Sequence, residues 1–368
     1  MFLSKLCLIP IFAAGILCAQ SADPKLLERA NEIQKRIVAF DSHVDLPFDY
    51  AGAAADGKAQ IDLPKVDRGH LKGAALAVFV PQGPRTPEGY KKAAEDAQKK
   101  YELIKAFAEQ NPDRAVLAYS PADVRRAAAQ GKFAVVISML NAYPLGSDLS
   151  AIDEWYKRGV RILGYDHAGH NQWADSSRPR QPLGDGPQEH GGLSELGKQG
   201  VARLNELGIL IDVSQLSSPA FKQVLALTKA PVAATHSGVK GIVDNSRNLS
   251  DEELALLKRN GGVIQIVAFS NYLRPLPQGA DPEKAPRATV AQLVDSITYA
   301  VKKIGIDHVG IASDFNHGGG VIGWDNEGEG PNVTAELLHR GYSEKDIAKL
   351  WGGNFLRVWG EAQARAKK

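Results

Sequence analysis

The sequence predicts an α/β fold of the (β/α)8, TIM-type barrel class, on three observations. Eight short apolar runs rich in β-branched residues recur along the chain. Helical patterns fill most of the intervals between them. Imidazoles, carboxylates and an amide fall at the C-terminal ends of several runs, and a parallel barrel gathers its strand ends at one mouth. A doubly wound sheet is the alternative for the same alternation.

The N-terminus stands apart from this pattern. Lys5 precedes an apolar run from Leu6 to Ala19, broken by Pro10, and small residues follow at Ala19, Ser21 and Ala22. The order of positive start, short apolar middle and small-residue exit reads as a secretory signal peptide over residues 1–22. Cleavage near residues 19–22 leaves a single mature domain over 23–368, exported to a periplasm or secreted. The run is too short for a comfortable transmembrane helix. Cys18 lacks the small residue just before it that a lipid-attachment site wants. Cys7 and Cys18 are the only cysteines, so the mature chain has no disulfide, thiolate ligand or cysteine nucleophile.

The runs are Ile37–Asp45, Gly73–Val80, Phe133–Leu140, Val160–His167, Ile209–Gln215, Pro231–His236, Gly262–Phe269 and His308–Asp314. Helical patterns cover Glu88–Gln110, Leu193–Leu207, Pro219–Leu227, Asp251–Arg259 and Val290–Ile304. "LSDEEL" carries a capping box, with Ser250 as N-cap and Glu253 three residues on. Ser120 and Pro121 open a further helix that "GK" at 131–132 closes. A chain of 368 residues fits one such barrel.

Run one ends in His43 and Asp45, run four in His167, run five in Gln215, run six in His236 and run eight in Asp314. A lone histidine at a strand end is ordinarily structural; several meeting at one mouth are not. Residues two apart on a strand share a face, so His43 and Asp45 point together. Imidazole with carboxylate suits Zn²⁺ or a similar divalent ion, which polarises a carbonyl and activates a water. Asp314 could both touch the ion and take the proton of that water. His167 could stabilise oxyanion charge. Arg247, in "DNSRNLSD", could grip a carboxylate, although a surface salt bridge explains it equally well. Gly- and Pro-rich stretches at 170–192 and 315–332 are either lids or solvated loops. The net charge of +2 gives no reason to expect a nucleic-acid partner.

Taken in order, "DSHVDLP", "HAGHNQWADSS", "ATHSG", "SRNLSD", "IASDFNHG" and "GGNFLRVW" resemble the renal (membrane) dipeptidase family, peptidase family M19, an amidohydrolase-type barrel. The resemblance spans about residues 28–360. It implies a two-zinc centre that cleaves dipeptides. The first metal would rest on His43, Asp45 and Asp314. His167 would contact the scissile carbonyl, and Arg247 would bind the substrate carboxylate. A glutamate ending the third strand would bridge the metals, and histidines ending strands five and six would hold the second.

Two positions depart from that pattern. "SMLNAYPLG" puts Leu140 where the glutamate belongs, and "IDVSQLS" puts Gln215 where the strand-five histidine belongs. His236 is retained and could swing to the first metal. Leucine cannot ligate, and a neutral amide is a poor zinc ligand. The expectation is therefore Zn²⁺ at about one per chain, with the second ion weak or absent. His170, Asp185, His190, His317 and Glu327 on the mouth loops are candidate substitutes.

The first reading is an exported metal-dependent hydrolase of dipeptides or similar small amides. The second is a dipeptidase-like barrel without hydrolytic activity that binds a peptide or assists maturation of a secreted metabolite. A third is different chemistry in the same pocket. The resemblance allows a homodimer without demanding one.

Overall fold

Strands β1 (Phe40–Asp45), β2 (Gly73–Phe79), β3 (Ala115–Leu117), β4 (Phe133–Leu140), β5 (Val160–Gly164), β6 (Leu210–Asp212), β7 (Ala233–Ser237), β8 (Val263–Val267) and β9 (Val309–Ala312) form one sheet. All neighbours pair in parallel, in the order β1-β2-β4-β5-β6-β7-β8-β9. The computed structural model describes residues 23–276, 281 and 285–367. The signal segment with Cys7 and Cys18 lies outside the described residues.

The sheet closes on itself just beyond β9. Val44 bridges Phe315 in parallel. The Asp45 amide donates to the Phe315 carbonyl (3.0 Å), and the Asp314 amide donates to the His43 carbonyl (3.1 Å). The result is the expected (β/α)8 barrel. β3 adds a short ninth strand that pairs with the first residues of β4. Its three residues carry no readable alternation, which is why the sequence pattern misses it.

The intervening helices follow local signals. Pro87–Glu109, Glu195–Leu207, Ser218–Leu227, Asp251–Asn260 and Val290–Ile304 fall within a few residues of expectation. Ser250 and Glu253 form the reciprocal capping box, and the Ser120 side chain caps Pro121–Ala129. Gly131 follows that helix with φ of 69°, a left-handed backbone that favours glycine.

One end of the barrel is shut. Phe40, Ala134, Leu210, Ala233 and Val263, from the starts of their strands, are buried in one cluster with Phe355, Val358 and Trp359 of helix Asn354–Gln363. Phe40 stacks on Phe355 with ring centroids 5.4 Å apart. With the N-terminal mouth plugged, polar chemistry is left to the other end.

The barrel is filled tightly where β8 meets β9. Gln265 of β8 is fully buried beside Gly310 of β9, and a Cβ on Gly310 would stand 1.8 Å from Gln265 Oε1. Gly310→Ala should cost about 1–3 kcal/mol through overpacking. Chemical denaturation measures this, and an unchanged midpoint would mean that Gln265 swings aside freely.

Candidate active site

Several expected strand ends stop short of the residues that matter. Gln215 and Asp314 lie just past β6 and β9, with φ of 71° and 58°. Left-handed backbone is uncommon outside glycine and takes a residue out of the ladder. Here it sits where two polar side chains turn into the mouth. Asn141, directly after β4, is also left-handed at φ 72°, and its side chain bonds the Val80 carbonyl, the Tyr143 amide and Asn171.

His43 lies flat against His236, with ring centroids 3.9 Å apart and planes 14° apart. Its Nε2 is 3.7 Å from Asp314 Oδ1. Asp41 pins the seam beneath them, since its Oδ1 accepts from the amides of His43 (3.1 Å) and Ser313 (3.2 Å). Asp45 Oδ1 accepts from the buried Lys100 ammonium at 3.1 Å, and its Oδ2 is 3.4 Å from His317 Nδ1. Lys100 also donates to the Leu46 carbonyl.

Burial governs the charges. It pushes the Asp45 carboxyl up to about 6, with Lys100 opposing. It holds Asp314 well above the usual carboxylate range; Arg247 opposes this and the nearby Asp45 adds to it. Burial, then the charges of His317 and Arg247, lowers His43 to about 3. The group therefore comprises a neutral imidazole and two carboxyls whose charge burial disfavours, with Lys100 beside Asp45 alone.

His43 Nε2, Asp45 Oδ2 and Asp314 Oδ1 are all buried without a hydrogen-bond partner. Such atoms are costly unless something binds them. Two ligands of one zinc stand roughly 3.3 Å apart, close to the His43–Asp314 spacing. The donor chemistry fits one divalent ion at this corner. Among the described residues, no three His, Cys, Asp or Glu side chains yet stand close enough together to enclose it.

The second half of the mouth is built differently. Thr235 Oγ1 donates its one proton to Asp212 Oδ2 (2.6 Å), so it must accept from His236 Nδ1 (2.8 Å). That leaves a lone pair on His236 Nε2, which accepts from Gln215 Nε2 at 2.9 Å. Gln215 Oε1 in turn accepts from Arg178 Nη2 at 2.8 Å. Arg178 Nη2 also lies 3.2 Å from His167 Nε2. Leu140 is buried in a small apolar cluster with Ala77 and Phe79. A second ion does not fit, because Leu140 supplies no oxygen and the lone pair it would need on His236 is taken.

His167 sits against Phe79 and His317, with centroids 4.6 and 5.0 Å away. Burial first, then Arg178, holds its imidazole well below the usual range. Arg247 is buried, donates to Ser237 Oγ (2.9 Å) and to the His236 carbonyl, and lies 5.5 Å from the Tyr272 ring centroid. The surface salt bridge that would have explained it equally well is not what it forms.

Of the mouth-loop candidates, His317 reaches Asp45. His170, Asp185 and His190 instead bond loop backbone at Ser176, Gly186, Arg180 and Asn171. Glu327 is buried against Asp41. Sequence reasoning missed Lys100, Arg178, Asp212, Thr235 and Tyr272. Lys100 reads as one more charge on an amphipathic helix, and Arg178 as a loop residue. Asp212 and Thr235 lay inside quoted motifs, "IDVSQLS" and "ATHSG", without being singled out.

A parallel barrel plugged at one end, with imidazoles, carboxyls and guanidiniums converging at the other, defines the class as an enzyme-type α/β barrel. Comparison with known proteins gives the family: the chain belongs to the membrane dipeptidase family, peptidase family M19, whose model matches residues 27–368. It is 31% identical over 313 residues to Dipeptidase aclJ of Aspergillus oryzae (strain ATCC 42149 / RIB 40), covering 84% of this chain and 71% of that protein. Dipeptidase tcpJ of Claviceps purpurea (strain 20.1) is 30% identical over 333 residues, covering 88% and 73%. Among solved structures, the probable dipeptidase PvdM from Pseudomonas aeruginosa is similar at 46% identity and a TM-score of 0.90, over 93% of this chain and 99% of that one. The metallopeptidase dipeptidase AC, also of family M19, is similar at 25% identity and a TM-score of 0.79, over 89% and 99%. The family supports a dipeptidase-like hydrolase that uses metal and acts on small peptides.

Proposed function

We propose that this protein is an exported hydrolase of dipeptides or similar small amides that works with a single divalent ion, zinc by its ligand chemistry. The observation that carries the reading is the set of orphaned buried atoms on His43, Asp45 and Asp314. His236 stacks on His43, but its Nε2 is held by the Gln215 amide, so the ion rests on those three. Once bound, the ion supplies a polarised carbonyl and a more acidic water.

The chain's own residues do the rest. Asp314, at the barrel seam, accepts the proton of the attacking water. Arg247 holds the substrate carboxylate through its unpartnered Nε–H, with Tyr272 alongside. His167 lines the carbonyl side between Phe79 and His317. Export rests on the positive–apolar–small pattern of residues 1–22. The test is dipeptide turnover by the purified mature chain with and without chelator. Cleavage that chelator leaves untouched would sink the metal mechanism.

Metal affinity should rise with pH. Asp45 and Asp314 are both raised, so below about pH 6 an ion must displace their protons. His43 is already neutral there and releases none. Zinc should bind at least about tenfold more tightly at pH 7 than at pH 5 by calorimetry, given about tenfold per pH unit for each proton displaced. A flat profile would mean that the carboxyls are not ligands.

One observation favours a second reading. Lys100 already compensates Asp45, and Gln215 already occupies His236. A barrel so arranged could bind a small peptide without cleaving it. Zinc-loaded, folded protein that binds dipeptides and turns none over would establish that reading.

A further inference from the structure

We propose that Arg178 is the built-in cation of the subsite where a second metal would sit, so that the chain meets an anionic oxygen of its substrate there with a guanidinium instead of an ion. This deepens the proposed function's reading of the same pocket and rests on the pocket being a substrate site.

The hydrogen-bond directions are determined along the whole chain. Asp212 accepts from Thr235, Thr235 from His236 Nδ1, His236 Nε2 from Gln215, and Gln215 Oε1 from Arg178. Each link has one consistent orientation, because Asp212 only accepts and Arg178 only donates. Gln215 is therefore not a spoiled ligand left idle. Its amide joins a neutral imidazole to a guanidinium, and a histidine there would present a ring nitrogen to a permanent cation. An ion on His236 Nε2 would have to displace the amide and sit beside that charge. Leu140 removes the carboxylate that could have offset the repulsion.

Arg178 still has donors to spend. Its Nη2 hydrogens are engaged by Gln215 and His167, and Nη1 reaches the Tyr272 hydroxyl at 3.4 Å. Its Nε is buried without a partner, and so is the Nε of Arg247. Tyr272 contacts both guanidiniums. Two cations with unpaired N–H groups at one barrel mouth suit a carboxylate or a carbonyl oxygen gaining charge. Because Arg178 Nη2 donates to His167 Nε2, that ring nitrogen carries a lone pair and cannot donate to such an oxygen, which leaves the guanidinium as the donor.

Two measurements on the full mature chain test this without turnover. In the first, protein is dialysed against Zn²⁺ and its zinc counted. Wild type should hold at most one ion, Leu140→Glu with Gln215→His still at most one, and the same pair with Arg178→Leu two. Two ions in the double variant, or one in the folded triple variant, would overturn the assignment. In the second, glycylglycine is titrated calorimetrically into chelator-treated protein. Wild type should bind it, Arg178→Leu at least tenfold more weakly, and Arg178→Lys should recover part of the loss at an unchanged melting temperature. Equal affinity in wild type and Arg178→Leu would overturn it. An inactive protein that shows both expected patterns would remove the hydrolase reading and leave Arg178 in place.

Discussion

Asp314→Asn should lower dipeptide turnover by about 10²–10⁴-fold, the usual worth of a positioned general base, while leaving the fold intact. The variant should also lose tight zinc. Its carboxyl is buried at the barrel seam with Oδ1 unpartnered, and burial already disfavours its charge. Asparagine has the same shape, tolerates the left-handed backbone at φ 58°, and avoids burying an acid. The metal-free variant should thus melt no lower than metal-free wild type. Unfolding curves and a turnover assay together separate lost chemistry from lost structure. Turnover near wild type would remove Asp314 from the mechanism.

Asp212→Ala should be the most damaging change to stability at the site, at about 3 kcal/mol. Asp212 is 3% exposed and accepts from three donors: the Ser214 amide (2.9 Å), the Thr235 amide (3.1 Å) and the Thr235 hydroxyl (2.6 Å). Each buried donor left unpaired costs about 1–3 kcal/mol, and partial rearrangement recovers some of it. For a chain of this size the melting temperature should fall by roughly 5 °C. The change reaches further than stability. With its acceptor gone, the Thr235 hydroxyl is free to donate to His236 Nδ1, which moves the imidazole proton to Nε2 and opposes the Gln215 amide. Nitrogen NMR shifts of His236 should report the tautomer change. An unshifted tautomer would show that Thr235 does not set it.

Much of this barrel is legible in the chain. The strands announce themselves because buried parallel strands are short, continuous and β-branched. Ser120 and Ser250 mark helix starts through local hydrogen bonds that need no tertiary partner. The short β3 escapes because Ala115–Leu117 pairs only with β4, and Val116 is exposed. His43, Asp45, His167, His236, Arg247 and Asp314 stand out by position, since each follows or ends an apolar run. Leu140 and Gln215 are visible only as departures from a resemblance.

The sequence by itself determined the barrel, the end at which polar residues collect, and which ligand types stand at each strand end. These follow from periodicity and from side-chain chemistry, both local properties. The tertiary structure alone decided what those side chains face. It brought Lys100 from the middle of a helix to Asp45, and Arg178 from a mouth loop to Gln215 and His167. It turned Gln215 from a missing ligand into a link between an imidazole and a guanidinium. No spacing rule could show this, because hydrogen-bond direction and counter-charge depend on which groups closure of the barrel places within about 3 Å of one another.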